Sequence, residues 1–556
     1  MVQEDKKILR IALLLDSYCQ PQWVKRIVDG ICGSDFAEIV LIVRRDTPEP
    51  NFSGPLRKIF SRGGVLFWSL CSKFDDLAMS PYPDPFEQVD IDPTGMGWPI
   101  LEVQPCRDGQ EEDLADEDIS RISSYNIDVA LDFGQRPMGA TQPGIARYGI
   151  WSPGITSNGA RRGGPPGFWE VMGRETATEF TLRVMTGDGN PEKVLYRSYT
   201  STDLLSIKGT RSKLYWKSAA ALVRKLRDLF ERGPLCLDGE HADSGRLPAV
   251  GPLRLRPTGA EMLAFLFKIG KRRLARRLLD SRRLEQWFLA FKLSEPEGPD
   301  STIENLNYME PLTGRFWADP FPIESEGTYY IFMEEFLYSI MKAHISVIEM
   351  DSDGRWKQPV KVLERDYHLS YPFLFQWDGQ LYMMPETKRN GTIELYRCKE
   401  FPLKWEFDRV IMDDVQAVDA TLHEVGGIWW LFCNIGGRDF SSNDELHLFY
   451  AKTPFGPWTP HKLNPVKSDV RSARPAGRLF NRDGNLYRPS QDCSVRMGGA
   501  IVMNRIVRLT PDDFKEESVA RIDPTWRKGI LGTHTINTAG KLTVLDGFTY
   551  VPKQLS

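Results

Sequence analysis

Histidine is scarce in this chain: seven in 556 residues, none before His241 and six beyond position 340. Imidazole is the side chain that ordinarily titrates near neutral pH, so chemistry built on it is confined almost wholly to the C-terminal half. The eight cysteines include no CxxC pair, which argues against a zinc ribbon and a compact disulfide framework and fits a reducing compartment. Charge of one sign is also lacking. With 71 Lys plus Arg against 75 Asp plus Glu the formal charge is −4, which is not the balance of a general nucleic-acid binder. The N-terminal apolar stretch ILRIALLLDSY is too short to span a bilayer, ends at Asp16 and carries no small-residue cleavage pattern. A cytoplasmic protein without a signal peptide is expected.

What is present is an ordinary soluble composition, 41% hydrophobic and 26% charged, with aromatics at 11%. At roughly 150 residues per domain, the length allows three to four domain equivalents. Ile8 to Leu15 is a short apolar run; Trp23, Val24, Ile27, Val28 and Ile31 follow at helical spacing, and Ile39 to Val43 is apolar again. Strand, helix and strand predict a parallel α/β sheet. Ile127 to Phe133 reads as a third strand after an acidic helix over Glu111 to Ser120, Tyr148 to Trp151 as a fourth, and residues 50 to 110 mainly as loop.

Within residues 8 to 200, DVALDFGQRPMGATQPGIARYGIWSPG, RRGGPPGFWEVMGRETATEFTLRVM and KVLYRSY resemble the formyltransferase fold of methionyl-tRNA and nucleotide-sugar N-formyltransferases. The resemblance implies a Rossmann-type α/β domain over 1–205. In that family an Asn-x-His pair and a later Asp carry the transfer. Here the expected His is Ser152 and the later Asp aligns with Asn190, so the proton shuttle is missing and formyltetrahydrofolate is not expected as a cofactor. The turn Gly163 to Gly167 reads either as a backbone cradle for a ligand or as a rigid loop that sets Phe168 and Trp169 against the sheet.

Residues 206–300 read as a helical, partly basic connector. Leu214, Ala219, Leu222, Leu226, Leu229 and Phe230 mark an amphipathic helix over Lys213 to Arg232, and a Pro- and Gly-rich linker follows over 233–257. Residues 258–287 then gather Lys271, Arg272, Arg273, Arg276, Arg277, Arg282 and Arg283 around Leu274, Leu278 and Leu279. That is either a helix with its basic face toward anionic lipid, giving peripheral membrane contact, or a solvated helix whose Leu stripe docks on a domain.

Beyond residue 300 the chain repeats. A Gly followed by aromatic residues, with a polar residue seven positions on, recurs in GTYYIFMEEF, GQLYMMPET, GIWWLFCNI and GNLYRPSQD, at intervals of 52, 48 and 57 residues from Gly327. Upstream of each lies a second element: ADPF, SYPF, VDAT and ARPA, with THTI as a less regular fifth. Three or four short strands per unit, five times over, predict an all-β five-bladed propeller across 301–556, and Trp287 to Lys292 is a candidate strand for closing the ring.

Inner strands of a propeller converge on one channel. The second residue of each upstream element gives Asp319, Tyr371, Asp419, Arg474 and His534; the position seven after each Gly gives Glu334, Glu386, Asn434 and Gln491, with Asp492 beside the last. Such a ring is costly to bury unpaired. With Trp317, Phe321, Tyr382, Trp429 and Trp430 nearby, it points to a pocket for a sugar, glycan or nucleotide sugar, the alternative being a satisfied internal network. His344, His447 and His461 read as structural and Cys493 as a core residue.

FWADPFPI, HLSYPFLF, MMPET, VDATLHE, ARPAGRLF, YRPSQDC and GTHTIN resemble the propeller region in the N-terminal part of plant glucosamine inositolphosphorylceramide transferases and bacterial relatives, and, more distantly, glycoside hydrolase family 43. The second likeness implies Asp319 as general base and Asp419 as the orienting carboxylate. The fourth-blade acid is absent, since Ala473 and Arg474 stand there, so Glu386 is the candidate acid, with Glu334 or Asp492 behind it. Arg474, Arg488, His368 and His534 would instead suit a phosphate or carboxylate. No metal constellation is visible in the sequence; since family 43 propellers sometimes hold a cation, His534 with Asp492 is the one pairing to consider. Three functions follow: a carbohydrate-active enzyme acting on a glycosidic or sugar-phosphate bond, by transfer or hydrolysis; a non-catalytic glycan-binding module; and a sugar N-formyltransferase.

Overall fold

The computed structural model describes residues 7–46, 73–75, 83–108, 111–134, 138, 143–157, 160–161, 166–186, 193–238, 257–295, 304–437 and 441–553. They fall into two compact units, Met1–Arg273 and Leu274–Ser556.

In the first unit, continuous apolar segments form central strands buried on both faces, flanked by more exposed edge strands. The strands are β1 (Leu9–Leu15), β2 (Ala37–Arg45), β3 (Ile100–Val103), β4 (Val129–Asp132), β5 (Ile150–Ser157), β6 (Ala177–Met185) and β7 (Lys193–Ser201). They lie in the order β7-β6-β5-β4-β1-β2-β3, with β3 to β5 mutually parallel and β6 antiparallel to both its neighbours. Alternate residues of β1 serve opposite faces. Leu9, Ile11, Leu13 and Leu15 pack with Val24 and Ile27 of α1 (Gln22–Cys32), while Ala12 and Leu14 pack with Ile122 of α2 (Asp116–Ser123). Helix cover on both faces explains the near-continuous apolar runs, because a parallel strand has no wet side. The first unit is thus a mixed sheet with helices against it.

Two local expectations change. The edge strand β3 lies inside the stretch expected to be loop. The acidic stretch is not helical from Glu111: Glu111–Asp113 is a short strand against Cys106–Asp108, and α2 begins at Asp116, with Asp116, Glu117 and Asp118 in its first turn, where the helix dipole favours negative charge. Ser152 stands on β5 opposite Arg183. Gly163, Gly164, Pro165 and Asn190 lie outside the described residues. In the connector, Ile207–Arg232 is a helix that buries Leu214, Ala219, Leu222, Leu226 and Leu229, whereas most of the 233–257 linker lies outside the described residues. The helix Gly259–Arg282 buries Met262, Phe265 and Ile269. Its Leu274 and Leu278, expected as a docking stripe, are exposed. Among the described residues no helix is long and apolar enough to cross a membrane.

The second unit is a five-bladed propeller of antiparallel sheets. The first strands of blades one to four are Arg315–Ser325, Ser370–Trp377, Ala417–Val425 and Phe480–Arg482. Blade five is composite: its strand Leu542–Pro552 pairs along eleven residues with Arg283–Leu293, so the ring closes with chain from both ends and the blade begins upstream of the expected boundary at 301. The repeated glycines sit at hairpin tips. Glu326-Gly327, Asp378-Gly379, Gly426-Gly427 and Asp483-Gly484 all have positive φ at both positions, the two-residue turn that matches the twist of paired strands.

Arg488, expected to hold an anionic group, instead braces blade four. It is fully buried; its guanidinium donates to both Glu516 carboxylate oxygens (2.8 and 2.7 Å) and to the carbonyls of Ser472 (2.7 Å) and Ala473 (3.1 Å), so its charge and most of its N–H groups are taken up inside the blade. Lys467 Nζ lies 2.6 Å from the same carboxylate. Burial opposes ionisation of Glu516, but the two cations outweigh it and hold its pKa at about 2. The pair's stabilisation is therefore complete above the ordinary value of 4.5 and is lost as pH falls toward 2. Glu516→Gln, which strands the buried Arg488 and removes the partner of the half-buried Lys467, is expected to cost about 3–5 kcal/mol. Denaturant melts at pH 7 should show that loss, and melts at pH 2.5 should show the wild type and variant converging.

Candidate functional site

In blades one, two and three, the ladder between first and second strands slips at the same place, between Ala318 and Phe321, Ser370 and Phe373, and Val418 and Thr421. The residue inside each slip is Asp319, Tyr371 or Asp419, with φ of 50°, 45° and 50°. A left-handed backbone at a non-glycine residue costs on the order of 1–3 kcal/mol. The bulge turns each side chain out of the pleat, and contacts across blades show that they converge. The Asp319 carboxylate accepts from the Tyr371 N–H (3.2 Å), the Tyr371 hydroxyl pairs with Thr421 Oγ1 (2.8 Å), and Gly477 N–H donates to that hydroxyl (2.9 Å). Tyr371 therefore ties four blades together.

Two buried charge clusters result. In the first, Asp319 Oδ1 accepts from the Thr535 hydroxyl (2.6 Å) and lies 3.3 Å from His534 Nε2. Asp546 takes the backbone N–H groups of Asp319 (3.1 Å), His534 (2.8 Å) and Thr535 (3.1 Å). Its Oδ2 is 2.6 Å from His534 Nδ1, a close ionic contact without the alignment of a hydrogen bond. The imidazole rests on the Trp287 ring, 4.2 Å between centroids. Burial opposes the imidazolium, but Asp546 and Asp319 outweigh it and lift His534 to about 9. Asp319 is raised to about 7 by burial and by Asp419, Glu334 and Asp546, against the pull of His534.

The second cluster joins blades two, three and four. Arg474 grips Asp419 through Nε (2.6 Å) and Nη2 (3.2 Å), and its Nη1 donates to Asn443 Oδ1 (2.8 Å). Gln491 Nε2 donates to Asp419 (2.8 Å) and to the Pro475 carbonyl (2.9 Å). Glu386 Oε2 accepts the Asp419 N–H at 3.4 Å and stands 4.0 Å from Arg474 Nη2. Burial, then the Asp419 charge, raise Glu386 to about 8 in spite of Arg474 and Lys388. Lys388, whose Nζ donates to Ser442 Oγ (3.2 Å), is lowered by burial.

The remaining sequence candidates divide. Glu334 pairs with His368 Nε2 at 3.3 Å, and His368 Nδ1 accepts the Ala343 N–H. Asn434 is fully buried on the second strand of blade three, opposite Val418. Trp317 does not line the channel: it is buried edge-on to Trp356 and donates to Glu335, a structural carboxylate also bound by His344 and Ser346. Asp492 pairs with Arg521 Nη1 (2.5 Å) and the Ser494 N–H (2.8 Å), so the structure does not set it with His534. His534 stands with Asp319 and Asp546 instead, three potential ligand atoms within 4.8 Å of one another, which here form an ion-paired cluster. The sequence reading missed Asp546, Thr535, Lys388 and Asn443. Gly540 does open a fifth copy of the hairpin, but Asp546 falls six residues after it rather than seven.

Residues 304–533 match the family described as glucosamine inositolphosphorylceramide transferase 1, N-terminal. Over 208 residues the chain is 38% identical to glucosamine inositolphosphorylceramide transferase 1 of Oryza sativa subsp. japonica, covering 37% of this chain and 28% of that protein. Over 222 residues it is 36% identical to the Arabidopsis thaliana protein of the same name, covering 39% and 29%. The propeller is homologous to that N-terminal region. The matches thus span less than a third of the length of these transferases. Among solved structures, a family 117 glycoside hydrolase of Zobellia galactanivorans aligns at 14% identity and a TM-score of 0.31, over 48% of this chain and 90% of that one. The RS223 β-xylosidase aligns at 13% identity and 0.30, over 42% and 94%.

The first cluster predicts an imidazole titrating far above its usual range. In NMR titrations His534 should have a midpoint near 9, and Asp546→Asn should bring it down by removing the larger of its two attractions. A wild-type midpoint at or below the ordinary 6.5 would contradict the ion-pair assignment.

Proposed function

We propose that the chain is a carbohydrate-active enzyme that breaks or transfers a glycosidic or sugar-phosphate bond in the propeller channel. The observation carrying this reading is Glu386: a buried carboxylic acid, raised to about 8 and so protonated at neutral pH, set beside an ionic Asp419–Arg474 pair. A proton donor of that kind is what a departing sugar oxygen needs, and Asp319, raised only to about 7, is the matching acceptor for the proton of an attacking water or hydroxyl. Asp419, fixed by Arg474 and Gln491, orients the sugar and keeps Glu386 protonated. Arg474, His368 and Lys388 supply positive charge for a phosphate. The homologous transferases are named for glucosamine and inositolphosphorylceramide, which makes a phosphate-bearing glycan acceptor the first substrate class to test.

Asp319→Asn and Glu386→Gln should each lower turnover by about 10²–10⁴ with the fold retained. Activity should require Glu386 protonated and Asp319 ionised, so the pH profile should be a narrow bell whose limbs, properties of the coupled pair, fall near 7 and 8. Unchanged turnover in both variants would remove the assignment.

One observation favours a second reading. Arg474 occupies the blade-four position where family 43 enzymes carry their acid, and it closes a bidentate pair on Asp419. A non-catalytic module that binds a glycan or nucleotide sugar would keep such a pair, and it would show saturable binding with no product by mass spectrometry. Formyl transfer by the first unit is the weakest of the three readings, because no histidine precedes His241. Peripheral membrane contact through residues 258–287 rests on exposed Leu274 and Leu278 beside Arg276 and Arg277, and co-sedimentation with vesicles containing anionic lipid tests it.

A further inference from the structure

Four second-strand positions are equivalent in successive blades, and three have their polar atoms engaged. Glu334 meets His368, Glu386 meets the Asp419 N–H, and Gln491 meets Asp419 and the Pro475 carbonyl. Asn434 is the exception. Its side chain is fully buried, yet neither Oδ1 nor Nδ2 has a hydrogen-bond partner among the described residues. Ladder pairing sets it opposite Val418, next to Asp419, as the pairing of Ala318 with Glu334 and of Ser370 with Glu386 does in the first two blades. Two residues on, the backbone at Gly436 runs beside the Lys388 ammonium: a Cβ there would lie 3.6 Å from Nζ. Asn434 thus belongs to the wall that carries the second charge cluster, and it is the member whose hydrogen bonds are left to be made.

An unpaired amide in that setting is costly to the empty protein, where an apolar residue of similar size would carry no such cost. From this we infer that the Asn434 carboxamide is a ligand-binding group of the channel, which recognises a neutral donor–acceptor pair on the bound sugar. The inference rests on the reading that the channel takes a sugar. A carboxamide offers one acceptor and two donors in one plane. Two vicinal hydroxyls satisfy both ends, and so does an acetamido group; a phosphodiester, which only accepts, satisfies one, and an anionic phosphate is better met by the cations Lys388 and Arg474. Asn434 therefore sorts the ligand, with its neutral ring face toward blade three and any phosphate toward Lys388 and Arg474.

The test uses the full chain and ligand-observed NMR with three probes: glucose for vicinal hydroxyls, N-acetylglucosamine for the acetamido group, and inorganic phosphate. Asn434→Leu should weaken binding of the sugar probes at least tenfold, leave phosphate binding within twofold, and keep or raise Tm, since it removes an unsatisfied polar group. Asn434→Ser, smaller and still polar, guards against an overpacking artefact and should also lose sugar binding. The sugar that wild type binds more tightly identifies which pair is read. Sugar affinity unchanged in Asn434→Leu overturns the inference and leaves the channel reading standing. A fall in Tm of about 5 °C or more in both variants marks the amide as a structural member and overturns it as well. Binding of neither sugar by the wild-type chain overturns the channel reading together with the inference.

Discussion

The bidentate pair between Arg474 and Asp419 holds together the charge cluster on which blades two, three and four converge. A carboxylate this deeply buried would ordinarily take up a proton or be excluded from the fold. Arg474 closes two contacts on the Asp419 carboxylate, and after burial the charge of Asp419 is part of what raises the neighbouring Glu386. One strong ion pair therefore gives two adjacent carboxyl groups different surroundings: Asp419 meets Arg474 directly, while Glu386 stands 4.0 Å from it. The same pair limits Asp419: with Arg474 on both oxygens and Gln491 on one, it has little capacity left for chemistry of its own.

The backbone that presents these groups is under local strain. Asp319, Tyr371 and Asp419 each hold a left-handed conformation that glycine would adopt freely, yet a side chain is kept there three times in three blades. Cross-blade hydrogen bonds from and to those residues are the compensation, so the strain and the interactions that relieve it are parts of one arrangement. Tyr371 is its clearest member, since its N–H and its hydroxyl meet different blades.

Much of this was legible beforehand, for stated physical reasons. The hairpin glycines recur because both tip residues need positive φ, which makes the repeat visible and puts the ring members on equivalent strand positions. Asp319, Asp419, Glu386 and Arg474 were found in this way. Asp546 was not, because it sits one residue out of phase with the other copies and its role lies in three backbone N–H groups that leave no trace in sequence. Arg488 was misread: a buried structural arginine and a ligand-binding one look alike until its partner Glu516, twenty-eight residues on, is located. Ile100–Val103 was absorbed into a Pro- and Gly-rich stretch because four residues give too little pattern to stand out.

The composite fifth blade bears on how the protein is made. Asp319 meets Thr535 across 216 residues of chain and Asp546 across 227. Contacts of such long range form late, since loop closure must precede them. During synthesis the first four blades can pair their strands as they emerge, but Arg283–Leu293 has no neighbour on one edge until Leu542–Pro552 has been translated. A long strand with an open edge is a site of mispairing. The helix that precedes this strand and the rate at which the last blade appears would then determine how much nascent chain is lost to association before the ring shuts.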